Sequence, residues 1–380
     1  MTDDEGAPIE TRGDLADAPD SAAGDAAGGS AGGAAGNAAG GAVGGAAGDT
    51  AGNPATAAAR PAPGRHGGAL APPPADPAGT TFAGLHHLVA PAAEIADRDA
   101  TIAAVDALVA HAAAAAAERP RGDERTLRPG DDDTLRGAIV DLLATTLAEA
   151  RARILRGLIA RPEAGLRVAR AHAHATDVVV AAAHHFITHH VYGTTTRTAG
   201  ERLAVVAVGG YGRGEMAPFS DVDLLFLTPR KRTAWAESVV ESTLYLLWDL
   251  RLKLGQSTRS VSETLRYATE DFTIRTNLLE MRYIAGDREP YDTLEERLWS
   301  ELFLRTGPQF VAAKLAERDT RHQRHGGSRY LLEPNVKEGK GGLRDLQTLH
   351  WISRYLYRVE KAWELCPLGV FEEEEVARFA

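Results

Sequence analysis

The sequence predicts an α+β chain in which a helical region precedes strands interleaved with helices. Three observations carry that prediction. Residues 92–190 place apolar side chains at helical spacing with no strand-like run among them. Two short β-branched and aliphatic runs follow, Leu203–Val208 and Asp221–Leu227, with a cluster of glycines between them. Beyond residue 233 helical patterns return, broken by a third strand-like segment, Leu252–Arg259.

The elements follow in order. Residues 92–118 read as one Ala-rich helix with Ile95, Ile102, Val105, Leu108 and Val109 as its apolar stripe. Arg119–Asp133 is a polar loop broken by Pro120, Gly122, Pro129 and Gly130. Asp133 or Thr134 can cap a second helix reaching about Ile159, with Leu135, Ile139, Leu142, Leu143 and Leu147 on one side. A third helix covers roughly Ala164–His190. After the first two strands, helices are expected over Thr233–Asp249, Ser262–Thr269, Asp271–Ile284 and about Glu289–Leu304. A Gly-rich loop, Glu333–Gly342, leads into a helix from Leu343 to about Trp363.

Composition bounds the rest. The 380 residues allow roughly two or three domains. Residues 1–82 are dominated by Ala, Gly and Pro and cannot bury enough apolar area to offset their ordering entropy, so a disordered leader is expected there. Its ten acidic and three basic residues account for most of the net charge of −10. The remainder is nearly balanced, which gives no sign of a nucleic-acid partner. One cysteine, Cys366, excludes an intrachain disulfide and a multi-cysteine zinc site. No apolar run is read as long enough to span a bilayer, and the acidic start has no signal-peptide core, so a cytoplasmic chain without a membrane partner is expected. The regions read as leader 1–82, helical 83–198, catalytic 199–310, and a Gly-rich loop with C-terminal helices over 311–380.

The chemistry lies in Val208-Gly209-Gly210-Tyr211-Gly212-Arg213-Gly214-Glu215 and Pro218-Phe219-Ser220-Asp221-Val222-Asp223. Residues two apart on a strand share a face, so Asp221 and Asp223 can hold a metal pair together while Val222 and Leu224 face the core. Magnesium favours such carboxylate oxygens. Two of these ions stabilise the attacking and leaving oxygens of a phosphoryl displacement. Gly209 and Gly210 let the backbone approach a triphosphate and offer N–H groups, and Ser220 adds a hydroxyl. Arg213 either reaches phosphate oxygens or pairs with Glu215 and braces the turn. The pattern is neither a dinucleotide fingerprint nor a Walker A loop, since Gly339-Lys340 is followed by Gly341. These features point to metal-assisted nucleotidyl transfer.

At these residues the chain resembles the bacterial PII uridylyltransferase/uridylyl-removing family. The likeness continues through Leu247-Trp248-Asp249-Leu250 and Thr276-Asn277-Leu278-Leu279-Glu280, and is sharpest over Tyr330–Gln347. It covers about residues 200–360. The resemblance implies a DNA polymerase beta-type fold, with a small mixed sheet flanked by helical regions. It implies transfer of UMP from UTP to a tyrosine of the PII signal protein, with Mg2+ on Asp221 and Asp223 and the triphosphate along Gly209, Gly210 and Ser220. Lys337 and Lys340, in the loop before a helix, make a plausible anion site for the triphosphate or the cleft wall. Adenylyl transfer to a protein such as glutamine synthetase, or a non-catalytic nucleotide-binding module, are the rival readings.

Three departures stand out. The wider superfamily brings a third carboxylate from a later strand, and Leu252–Arg259 has none; Asp249, Asp271 and Glu280 are the substitutes. No His-Asp dipeptide is present, and the sequence stops before the regions that carry uridylyl removal and glutamine sensing, so both are expected to be absent from this chain. His172, His174, His184, His185, His189 and His190 lack carboxylates at matching spacing, so a half-exposed helix face is expected of them rather than a zinc site.

Overall fold

The structure is a computed structural model describing residue 85 and residues 87–379, apart from 119–128, 131, 194–197, 199, 325–332, 334 and 360–361. The chain divides into two units, Met1–Gly68 and Ala69–Ala380. Every described residue belongs to the second, and the leader expected over residues 1–82 lies outside the described residues.

The helical region begins with α1 (Ala92–Ile95) and α2 (Arg98–Ala117), which replace the single helix expected there. Asp97 divides them: its side chain accepts from Ala100 N at 2.9 Å and starts α2 afresh. Helix α3 (Asp133–Ala160) is capped by Asp132, not by Asp133 or Thr134, because Asp132 Oδ1 accepts from both Thr134 N and Leu135 N. Helix α4 (Gly165–His185) runs on into a π-turn, Phe186–Val191. Helix α2 corrects one expectation, since by length and composition it could cross a bilayer. The reason is its alanine content, eleven residues of twenty. It packs on α3 and α4, with Thr101 and Val105 buried.

The sheet has four strands: β1 (Ala204–Ala207), β2 (Val222–Thr228), β3 (Leu254–Ser260) and β4 (Arg282–Gly286), in the order β3-β2-β1-β4. β1 runs antiparallel to β2 and β4, and β2 runs parallel to β3, so the sheet is mixed. Between β1 and β2 lies α5 (Gly209–Gly212), one turn long. Helix α6 (Ala234–Asp249) connects the parallel pair, as such a crossover requires. Helices α7 (Val261–Glu270) and α8 (Phe272–Leu279) lead into β4. A capping box, Ser260 with Glu263, starts α7.

Strand β4 overturns the helix expected through Ile284. No Gly or Pro breaks Asp271–Ala285, so local sequence gives no stop signal. Instead, α8 ends at Leu279, and Arg282–Gly286 completes the sheet beside β1. Beyond it come α9 (Arg288–Arg297), a π-turn at Leu298–Leu302, a 3-10 turn at Phe303–Arg305, and α10 (Gly307–Arg324). Helix α11 (Leu343–Tyr357) stops short of Trp363, where Arg358 turns left-handed at φ 57°. Helix α12 (Glu373–Phe379) is short.

Strand alternation sends side chains into two cores. Val205, Ala207, Val222, Leu224 and Phe226 face the layer built by α2, α3, α4 and α6. Val206, Leu225 and Leu227 face α7–α11, where Phe310, Trp351 and Tyr355 pack. One buried ion pair joins the first layer to the sheet. Arg282 on β4 forks onto Asp177 of α4, Nη1 to Oδ2 at 2.6 Å and Nη2 to Oδ1 at 3.1 Å. Its Nε also donates to Gly212 O, and its Nη2 to Tyr211 O, both at 3.1 Å. Asp177 is fully buried. Removing it leaves the guanidinium charge uncompensated, so Asp177→Ala should cost about 3–5 kcal/mol in urea unfolding. The double change Asp177→Leu/Arg282→Met should cost clearly less than the single one.

Candidate active site at the glycine turn

The end of β1 and the start of β2 build the site. Val208 N donates to Asp223 O at 3.1 Å, which extends the ladder by one rung and sets Gly209 beside Asp223. Gly209 has φ +60°, the left-handed region that favours glycine, and this lets α5 begin directly after the strand. A Cβ there would lie 3.5 Å from both Asp223 Oδ2 and Asn277 Oδ1. The turn, the carboxylate and the α8 amide therefore meet at one point.

Asp221 is exposed and Asp223 half-buried. Burial, and then the charge of Asp221, push the Asp223 carboxyl above its ordinary 3.8. Val222 and Leu224 are buried between them, as the alternation requires. On the neighbouring strand Gly255 stands opposite Asp223, and a Cβ at Gly255 would lie 2.2 Å from Asp223 Oδ1. Any side chain at 255 would have to push the Asp223 carboxylate aside.

Arg213 takes the bracing alternative. Its Nε donates to Glu215 at 2.6 Å and its Nη1 to Glu280 at 2.5 Å. Two carboxylates thus engage the guanidinium that could otherwise reach phosphate. Glu280 accepts from Trp351 Nε1 at 2.7 Å as well, which fastens α11 to the glycine turn. Burial pushes the Glu280 carboxyl up, against the pull of Arg213. Ser220 Oγ accepts from Ala217 N at 3.1 Å, and a hydroxyl so engaged can still donate. Phe219, just before it, is 83% exposed at φ +67°.

The three substitutes for a third carboxylate are occupied elsewhere. Asp249 pairs with Arg136 at 2.6 Å, Asp271 caps α8, and Glu280 holds Arg213. Among the described residues, no third His, Cys, Asp or Glu groups with Asp221 and Asp223 with all ligand atoms within 4.8 Å. Lys337 and Lys340 are exposed in the loop before α11. Asn335 Oδ1 accepts from Lys337 N and Glu338 N, and Asp345 Oδ2 from Gly341 N, so the loop is internally fastened. Of this loop, Pro334 lies outside the described residues, as does the Tyr330–Leu332 part of the family motif.

Two neighbours of the carboxylates carried no assigned role in the sequence. Asn277 stood inside a matching segment, and only the return of α8 onto the turn reveals it. Gly255 did leave a signal, since an isolated glycine in a strand marks a close approach.

A four-stranded mixed sheet with a glycine turn and an acidic strand start defines a nucleotidyltransferase domain. Comparison with known proteins agrees: residues 196–284 match the nucleotidyltransferase domain family, whose members generally use a divalent metal. Residues 309–380 match the GlnD PII-uridylyltransferase family. The chain is 52% identical over 256 residues to a bifunctional uridylyltransferase/uridylyl-removing enzyme of Ruegeria pomeroyi, covering 67% of this chain and 28% of that protein. A like-named enzyme of Novosphingobium aromaticivorans is 52% identical over 247 residues, 65% of this chain and 27% of that protein. Over the matched residues the chain is thus similar to the PII uridylyltransferases, and it spans about 28% of the length of these relatives.

Two outcomes follow from the geometry. Gly255→Ala should displace the Asp223 carboxylate and abolish any thermal stabilisation by divalent ions, with the far-UV spectrum unchanged. The raised Asp223 group favours the folded state below the ordinary 3.8, and that contribution is lost as pH rises through its folded value. In EDTA, therefore, Asp223→Asn should melt no lower than the parent at neutral pH, and it should gain nothing when a divalent ion is added.

Proposed function

We propose that this chain transfers UMP from UTP to a tyrosine hydroxyl of a PII signal protein in the cytoplasm, releasing pyrophosphate. The observation that carries the reading is the convergence of Asp223, Asn277 and the left-handed Gly209 on one point, with Asp221 alongside. The match of residues 309–380 to the PII-uridylyltransferase family supports the nucleotide and the protein substrate.

Mg2+ fits this site. The donors are hard carboxylate oxygens; burial, and then the charge of Asp221, raise the Asp223 group, and a divalent cation offsets both effects. Asp221 and Asp223 would hold it. When bound, it stabilises the charge on the attacking and leaving oxygens. The backbone of Gly209 and Gly210 and the Ser220 hydroxyl line the triphosphate, and Lys337 and Lys340 add positive charge from the loop before α11. The phenol oxygen bonds to the α-phosphorus, the bond from that phosphorus to the β-phosphate bridge breaks, and the phenolic proton is released. The protein contributes position and charge more than covalent chemistry. Arg213 acts on the turn and not on phosphate: with Glu215 and Glu280 it holds the backbone that carries the N–H groups.

The test mixes the chain with PII protein, Mg2+ and labelled UTP or ATP in parallel. UMP labelling of PII is expected, with a loss of at least about 100-fold in Asp221→Asn/Asp223→Asn, since an electrostatic contact of this kind is worth about that much. Labelling from ATP alone would replace the reading with adenylyl transfer. Labelling from neither, with folded protein and competent PII, would make the chain a non-catalytic module.

A further inference from the structure

The histidines at the end of α4 do not lie on a plain half-exposed face. His174 and His184 are buried, and His185 and His190 meet a carboxylate from another helix. Asp106 Oδ1 on α2 lies 2.8 Å from His185 Nε2 and 2.6 Å from His190 Nε2. The ligand atoms of all three residues lie within 4.8 Å of one another. The sequence hid this group because Asp106 stands 79 residues before His185.

The π-turn creates the juxtaposition. In an α-helix, residues five apart diverge around the axis. Here Tyr192 N donates to Ile187 O, five residues back, at 2.8 Å, and the turn takes in one extra residue. His190 is thereby rotated toward His185, and the two rings meet edge to face at 5.5 Å. His189 stacks on the other ring, 4.2 Å from His185, and its Nδ1 meets His185 O at 3.1 Å. π-turns of this kind recur at functional sites.

We propose that Asp106, His185 and His190 form a binding site for one borderline divalent transition ion, Zn2+ foremost, separate from the nucleotidyl-transfer site. Two imidazoles and one carboxylate are the donor set such ions take, with further positions left to water. The side chains keep 47%, 20% and 23% of their exposure, so the ion has a route in and a wet face. With both imidazoles neutral, the set carries one negative charge. Binding exchanges each Nε2–H for a lone pair by a shift to the Nδ1–H tautomer, and no net proton is released from a neutral ring. The ligand atoms must part to the roughly 3.3 Å edge of a tetrahedron with bonds of about 2.0–2.1 Å, a small opening for partly exposed side chains. The bound ion would fasten α2 to the end of α4.

The experiment is titration of the metal-free chain with Zn2+ by calorimetry and with Co2+ by visible absorption, alongside thermal melts. Asp106→Asn and His190→Gln are the test variants. His111→Gln, an exposed histidine on the same helix, is the control. One ion per chain is expected, with ligand-field bands of a low-coordinate Co2+ site and a Zn2+-dependent rise in Tm. Each test variant should lose more than about 100-fold in affinity, beyond the range for an outer partner alone, while His111→Gln binds as the parent does. Circular dichroism without metal confirms that the variants fold. Absence of saturable binding to the folded parent, or binding that survives both test variants, would overturn the proposal and leave a hydrogen-bonded clasp. Neither outcome depends on nucleotidyl transfer.

Discussion

The buried pairing of Arg282 with Asp177 is the interaction on which the rest of the structure depends. One guanidinium satisfies a carboxylate from α4 and two carbonyls of the glycine turn, at Tyr211 and Gly212. A charge enclosed this way is tolerated only with its partners in place, so the pair specifies where α4, β4 and α5 sit relative to one another. Its net contribution to stability is modest beside the cost of breaking it. Its main effect is geometric: the glycine turn is held from below by a side chain from the strand that closes the sheet.

A second ionic chain fixes the turn from the other side. Arg213 reaches Glu215 and Glu280, and Glu280 accepts from Trp351 on α11. Gly212 lies against this chain, since a Cβ there would stand 2.2 Å from Glu280 O. The loop with Lys337 and Lys340 opens the same helix α11. The two segments that most strongly carry the family likeness are therefore physically joined, although more than a hundred residues separate them. Between the two braces, Asp221 and Asp223 have no ion pair among the described residues, which agrees with the metal site proposed above.

Much of the site was legible because it is local. Gly209, Gly210, Ser220, Asp221 and Asp223 fall within fifteen residues, and strand alternation alone puts Val222 and Leu224 in the core. The strands β1, β2 and β3 and the helices α3 and α6 were legible for the same reason, since periodicity and caps act within a few residues. Strand β4 was not. Its residues continue a helical pattern without a breaker, and only pairing with β1 and the burial of Arg282 select the extended form. Asn277 and Gly255 were hidden in another sense: their types were visible, but their nearness to Asp223 exists only once α8 and β3 are in place.

The sequence by itself determined the class of chemistry, because a glycine turn followed by an acidic strand start is a local pattern with a local physical meaning. It also determined the α+β order of the elements and the family resemblance. Tertiary structure alone gave Arg213 its second carboxylate partner, Glu280, from sixty-seven residues away. It alone gathered Asp106 to His185 and His190, since helix packing and one π-turn made neighbours of residues that no spacing rule connects. The physical reason is common to both cases: hydrogen-bond and ionic partners are chosen by distance in space, and a single sequence displays distance only along the chain.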